Sequence, residues 1–192
     1  MPLKEIPYKN LEILIKENLV REEHEGTQLL IAELTPVKKR GYLLKAELIK
    51  ISKWKSPRAI LLIKSNSEKS INRLTRKAFS TRNEKNRLEL LIKLKGVSVP
   101  MASSILTLLN PERYGVIDIR VWQVLCEIGA MTSNSKGVNF KFNDWYRYLI
   151  IIRHFAKKFN VTSRDVERTL FKVHQTYQQG NLYENLIRNP KL

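Results

Sequence analysis

An all-α fold follows from three features of the sequence. Apolar residues recur at the i, i+3, i+4, i+7 spacing of a helix along almost the whole 192-residue chain. No stretch reads strongly as a sheet. Residues able to accept hydrogen bonds from free helix amides stand ahead of the strongest periodic runs: Asp118, Asn143, and Thr162 or Ser163. In chain order, helices are expected over residues 11–20, 28–34, 38–52, 57–64 and 68–79. Leu88, Leu91 and Ile92 then form the apolar face of a helix ending near Leu94. After a tight turn through Gly96, a helix starting at about Val99 presents Ala102, Ile105, Leu106 and Leu109. Val121, Val124, Leu125 and Ile128 repeat the pattern behind Asp118. Trp145, Leu149, Ile152, Ala156 and Phe159 mark a long helix with Asn143 as its expected cap, and Val166, Leu170, Val173 and Tyr177 mark the last.

Breaks in the periodicity fall at residues 22–26, 54–57, 110–115 and 132–141, and only the last is long enough to separate subdomains. There is no internal repeat and no low-complexity tract. The seven glycines are scattered, which leaves no Gly-rich nucleotide loop. The chain reads as one unit.

Charge narrows the partner. Thirty-five Lys and Arg against 18 Asp and Glu give a formal charge of +17, which calls for a polyanion, and nucleic acid fits best. A hydrophobic content of 43% is enough to bury a core, so the chain is not a basic disordered tail. No apolar run approaches the roughly 18 residues of a membrane span, and the amino terminus lacks a signal-peptide pattern. The expectation is a soluble, monomeric protein of the cytoplasm, nucleoid-associated in a prokaryote, with no membrane partner. His24, His154 and His174 are dispersed, no H-E-x-x-H or G-x-S-x-G pattern occurs, and no metal site is expected.

The chemistry concentrates between Leu94 and Gln123. There, L-K-G-V-S is followed by a helix, a loop, and Asp118 opening the next helix. Such a turn aims its backbone amides, with the unpaired amides of the following helix, at one phosphate, and the helix dipole adds partial positive charge. Lys95 beside the turn supplies a salt-sensitive contact to a neighbouring phosphate. Taken singly, the turn reads equally as a plain link between two helices, and Asp118 as an ordinary N-cap. Capping and chemistry are compatible, because the capping amides fix the direction of the carboxylate.

The segment resembles the helix-hairpin-helix superfamily of DNA glycosylases, which includes endonuclease III and the adenine, alkyladenine and 8-oxoguanine glycosylases. Leu94, Gly96 and Val97 match the hairpin, Ile117 and Asp118 match the step that presents the carboxylate, and Trp122 takes the aromatic position beyond it. The resemblance implies two helical lobes with a cleft. Residues 38–125 would form a central lobe carrying the hairpin at 94–98, and residues 1–37 with 126–192 the second, with Asp118 facing the cleft between them. It implies base-excision repair: hydrolysis of the N-glycosidic bond of a damaged or modified base turned out of double-stranded DNA, with Asp118 as the catalytic carboxylate. Gly96, Val97 and Ser98 would grip the strand with Lys95, and Arg120 would reach phosphate.

Three departures shape the expected mechanism. Ser98 replaces the second hairpin glycine. Pro100, eighteen residues before Asp118, stands where lyase members carry a Schiff-base lysine. Cys126 is the only cysteine, so no iron-sulfur cluster can be ligated. A monofunctional, cofactor-free enzyme is expected, while a monovalent ion bridging hairpin and phosphate is compatible with the family. The alternatives are a bifunctional glycosylase and AP lyase using a lysine outside the usual position, such as Lys93 or Lys95, and a non-catalytic helix-hairpin-helix DNA-binding protein. For the flipped base, K-W-K-S-P-R supplies the expected pocket or wedge: Trp54 offers a π face, and Lys55 and Arg58 offer charge. Trp54 as core, with the basic residues as a solvated edge, is the competing reading.

Overall fold

Helix starts in this chain are set by side chains that catch loose amides. The computed structural model describes residues 3–179. Asn10 accepts from the Ile13 amide at 3.0 Å and opens α1 (Leu11–Asn18), while His24 Nδ1 accepts from Gly26 at 3.2 Å and opens α2 (Glu25–Glu33). After α3 (Thr35–Arg40) and α4 (Lys45–Lys55), a 3-10 turn (Pro57–Ala59) leads into the short α5 (Ile60–Lys64). Ser67 and Asn83 cap α6 (Glu68–Ser80) and α7 (Glu84–Ile92). There follow α8 (Val99–Leu109), α9 (Ile119–Glu127), α10 (Phe142–Phe159) and α11 (Ser163–Tyr177). Among the described residues, strand-type pairing is confined to a single bridge between Leu3 and Gln178. The fold is all-α. No helix among those residues is long and apolar enough to cross a membrane.

Four local expectations are corrected. The helix expected over 38–52 is two helices, because Gly41 adopts φ +77° and ends α3, and the Leu44 amide is then caught by Glu47 at 2.7 Å to start α4. The helix expected over 57–64 begins as a 3-10 turn at Pro57. Asn143 does not cap α10: the cap position is Lys141, whose amide donates to Asp144 at 2.9 Å, and Asn143 lies inside the first turn. Residues 132–141 do not separate subdomains. They lie over α9, where Asn134 takes the Trp122 indole N–H at 2.8 Å on its carbonyl and Gly137, at φ +62°, packs on the same ring. The last cap is Thr162, in a reciprocal pair with Asp165. Of the residues assigned above to the second lobe, 1, 2 and 180–192 lie outside the described residues.

One apolar cluster runs through the protein. In it α9 packs on α11, α11 on α10 and α1, α8 on α4 and α7, and α6 on α7. Trp122, Trp145 and Tyr148 are fully buried within it. Nearly all of α8 is buried, and its hydroxyls turn back onto the chain: Ser103 and Ser104 donate to Pro100 O and Thr107 to Ser103 O, each at 2.8 Å. A buried helix therefore carries polar residues with their donors satisfied.

Candidate active site

The segment leading to Asp118 is fixed from three sides. Tyr114 stacks on Trp145 at 6.3 Å. A Cβ at Gly115 would lie 2.8 Å from Glu167 Cβ and 2.9 Å from Ile152 and Tyr148, so only glycine allows the chain this close to α10 and α11. The Tyr148 hydroxyl donates to Val116 O at 3.0 Å, and the Ile117 amide donates to Ser103 Oγ at 3.1 Å. Asp118 follows as the N-cap of α9. Its Oδ1 accepts from the amides of Arg120 and Val121 at 3.0 and 3.3 Å, and its Oδ2 takes the Lys55 ammonium at 3.1 Å. The two side chains are 21% and 18% exposed, accessible but held.

They open onto a cleft of about 870 Å³. Among the residues expected to form the site, Asp118, Trp54, Lys55, Arg58, Gly96, Ser98 and Arg120 all line this cleft, together with Pro100. Lys95 and Val97 do not. Val97 is 5% exposed, with its side chain in the core and its amide donating to Leu94 O at 3.0 Å. The main chain of Lys95 is clasped by the Asn66 side chain, through N–H to Oδ1 and Nδ2–H to carbonyl, both at 2.9 Å, while its own side chain is exposed. The amides of Gly96, Ser98 and Val99 have no acceptor among the described residues. The turn thus presents three amides, one of them at Val99 in place of Val97.

Gly96 has φ +80°, and a Cβ there would sit 3.0 Å from Leu62 Cβ and 3.1 Å from Ala59 O and Ile63 N. The hairpin is therefore pressed against the turn that follows Trp54 and Lys55. Trp54 is half-buried and packs on the core while lining the cleft, its indole donating to Thr27 Oγ1 at 3.0 Å. Trp122 is fully buried in the core and does not line the cleft. Arg120 is directed across the cleft wall, with its guanidinium 4.9 Å from the centre of the Phe171 ring.

Motif reading missed the opposite wall. Arg164, Glu167, Arg168, Phe171 and Lys172 line the cleft from α11, with Glu23 and His24 beside them. Glu23 receives Arg164 at 2.8 and 3.1 Å and Arg168 at 2.6 Å, and Glu167 also pairs with Arg164. Burial alone would raise the Glu23 carboxyl, but the two guanidinium groups outweigh it and hold it below the usual range. Glu167 moves the other way: burial raises it and Asp118 adds to the rise, against the pull of Arg164 and Lys55. Behind this wall His174 shares a hydrogen bond of 2.8 Å with Gln123, and burial together with Arg120 depresses its pKa to about 4. The spacing 164, 168, 171, 172, 175 along one helical face was the available signal.

Among the described residues, no group of His, Cys, Asp and Glu is arranged to hold a metal ion. Lys93 and Lys95, considered above for lyase chemistry, are exposed and lie outside the cleft lining, whereas Lys55 is inside it. No protein-family model, curated protein or solved structure matches this chain.

Proposed function

We propose that this protein is a DNA glycosylase of base-excision repair, built as two helical lobes of the helix-hairpin-helix glycosylase kind with the cleft between them. The observation that carries the reading is the Asp118 carboxylate, which opens onto a basic cleft beside a turn with three unpaired amides. Those amides and the start of α8 would hold one phosphate of double-stranded DNA, with Lys95 on its neighbour. A nucleotide rotated out of the duplex would enter the cleft between Trp54 and α11.

As the N-glycosidic bond breaks, positive charge develops on the deoxyribose. The fixed carboxylate of Asp118 would stabilise that charge and orient a water molecule for attack on the anomeric carbon. The bonding electrons leave with the base, which gains a proton, and the water oxygen remains as the hydroxyl of an abasic site. Neither a metal nor a cofactor is required for this balance.

One contact favours a second reading. Lys55 lies on Asp118, so its amine, after losing a proton to that carboxylate, is placed to attack the same carbon itself. A glycosylase and lyase would result, with the lysine drawn from α4.

The test is a set of duplexes carrying single lesions, assayed for strand breaks with and without alkali. Release of a base with breaks only after alkali supports hydrolysis. Breaks without alkali, with a borohydride-trapped adduct lost in Lys55→Ala, support the lyase. Binding without base release from any lesion leaves a non-catalytic DNA-binding module, with Asp118 only a cap.

A further inference from the structure

The cleft wall carries a charge pattern that bears on which base it accepts, an argument that rests on the glycosylase reading. Three of its four carboxylates are already engaged, Asp118 with Lys55, Glu23 with Arg164 and Arg168, and Glu167 with Arg164, while the fourth, Glu22, is exposed and faces a lining that also carries six Lys and Arg residues. Arg120 and Lys172 have no carboxylate partner among the described residues. The cleft interior is therefore cationic even after its acids are counted.

Its aromatic surfaces reinforce this. Trp54 and Phe171 line the cleft, and each already faces a guanidinium: Arg164 at 5.5 Å from the Trp54 ring and Arg120 at 4.9 Å from Phe171. A π face attracts a cation by its quadrupole, and here that attraction is occupied by the protein's own charge. Arg120 is half-buried and Lys172 exposed, so their charged ends can donate to an incoming group that accepts hydrogen bonds.

We infer that the cleft selects a neutral base presenting carbonyl oxygens, such as a deaminated or oxidised base, and rejects ring-alkylated bases that carry a positive charge. A 7-methylguanine or 3-methyladenine nucleotide is cationic. It would meet Arg120, Arg168 and Lys172, whose like charge opposes it, with Glu22 the one unpaired carboxylate of the lining among the described residues. A base with carbonyl oxygens meets the same groups as donors.

The test separates binding from chemistry. Duplexes carry 2′-fluoroarabino nucleotides, which resist cleavage, of uracil, hypoxanthine, 8-oxoguanine, 7-methylguanine or undamaged guanine, and affinities are read by fluorescence anisotropy. At least one neutral carbonyl-bearing lesion is expected to bind about tenfold more tightly than 7-methylguanine. Arg120→Gln combined with Lys172→Gln is expected to shrink that ratio to about threefold or less. Equal or tighter binding of 7-methylguanine overturns the inference, and so does a ratio unchanged by the double variant. Failure of cleavable substrates to release a base, with the binding preference intact, overturns the glycosylase reading alone.

Discussion

Lys55 Nζ rests 3.1 Å from Asp118 Oδ2, joining two residues 63 positions apart. The contact completes a set of three donors on one carboxylate, two of them backbone amides of α9. An amide-capped acid is held in direction, and the ammonium sets its second oxygen toward the cleft. Substituting Lys55→Arg keeps charge and reach, so single-turnover excision should stay within about threefold of wild type in the hydrolytic reading. Lys55→Met leaves the carboxylate held by the amides alone and should slow excision by about tenfold through misplacement. Complete loss in both variants, with no trapped adduct in either, would move catalysis to the amine.

Gly96 and Gly41 share a left-handed backbone but not their surroundings. Both have positive φ, at +80° and +77°, yet a Cβ at Gly41 meets nothing within 4 Å while one at Gly96 meets Leu62, Ala59 and Ile63. Gly41→Ala should therefore cost only the backbone strain, about 1 kcal/mol. Gly96→Ala should cost about 2–3 kcal/mol and weaken DNA binding, because the turn must move off the 3-10 segment. Urea denaturation of the two variants checks the order, and equal destabilisation would contradict it.

His174 predicts an acid-sensitive stability. Its folded pKa of about 4 lies below the ordinary 6.5, so the unfolded chain takes up its proton first as pH falls. Stability is thus intact above pH 6.5 and declines toward pH 4, by up to about 3 kcal/mol. Among the described residues, the charged groups acting on the ring are Arg120, which opposes protonation, and Asp118, which favours it. Glu167 works in the opposite sense, since its raised folded pKa makes the native state the better proton acceptor there. The difference between wild type and His174→Gln isolates the histidine: the variant should show a flatter stability curve between pH 6.5 and 4 in chemical denaturation. A parallel curve would remove the role.

Lys95 predicts a salt effect without a catalytic one. Its side chain is exposed beside the three unpaired amides, and its backbone is fixed by Asn66. Lys95→Ala should reduce the slope of log affinity against log salt by about 1 and weaken damaged and undamaged duplexes alike. Excision from saturated enzyme should be unchanged. A lesion-specific loss would place Lys95 in base recognition instead.

The parts of this site that lie close together along the chain are legible in the sequence alone. Gly96 and Asp118 fall within one continuous stretch, and their periodic flanks mark the helices that carry them. Glycine at a turn and aspartate before an apolar run each have a local physical cause. The α11 wall had no such signature, because Arg164 reaches Glu23 across 141 residues and no spacing rule anticipates that meeting. The helical spacing puts Arg164, Arg168 and Lys172 on one face of α11 without saying what that face meets. The break at Gly41 was hidden for a related reason: the basic run before it and the apolar period after it can be drawn as one helix. At α10, Asn143 was the better capping residue by type, yet the Asp144 carboxylate caught the Lys141 amide and started the helix earlier.

Asp118→Asn tests the central claim most directly. Asparagine keeps an oxygen for the amides of Arg120 and Val121, so α9 stays capped and the thermal midpoint should hold, while the anion is gone. Measured as single-turnover base release from the best lesion-bearing duplex, the rate should fall by about 100-fold or more with duplex affinity retained. Base release by Asp118→Asn at the wild-type rate would contradict the account.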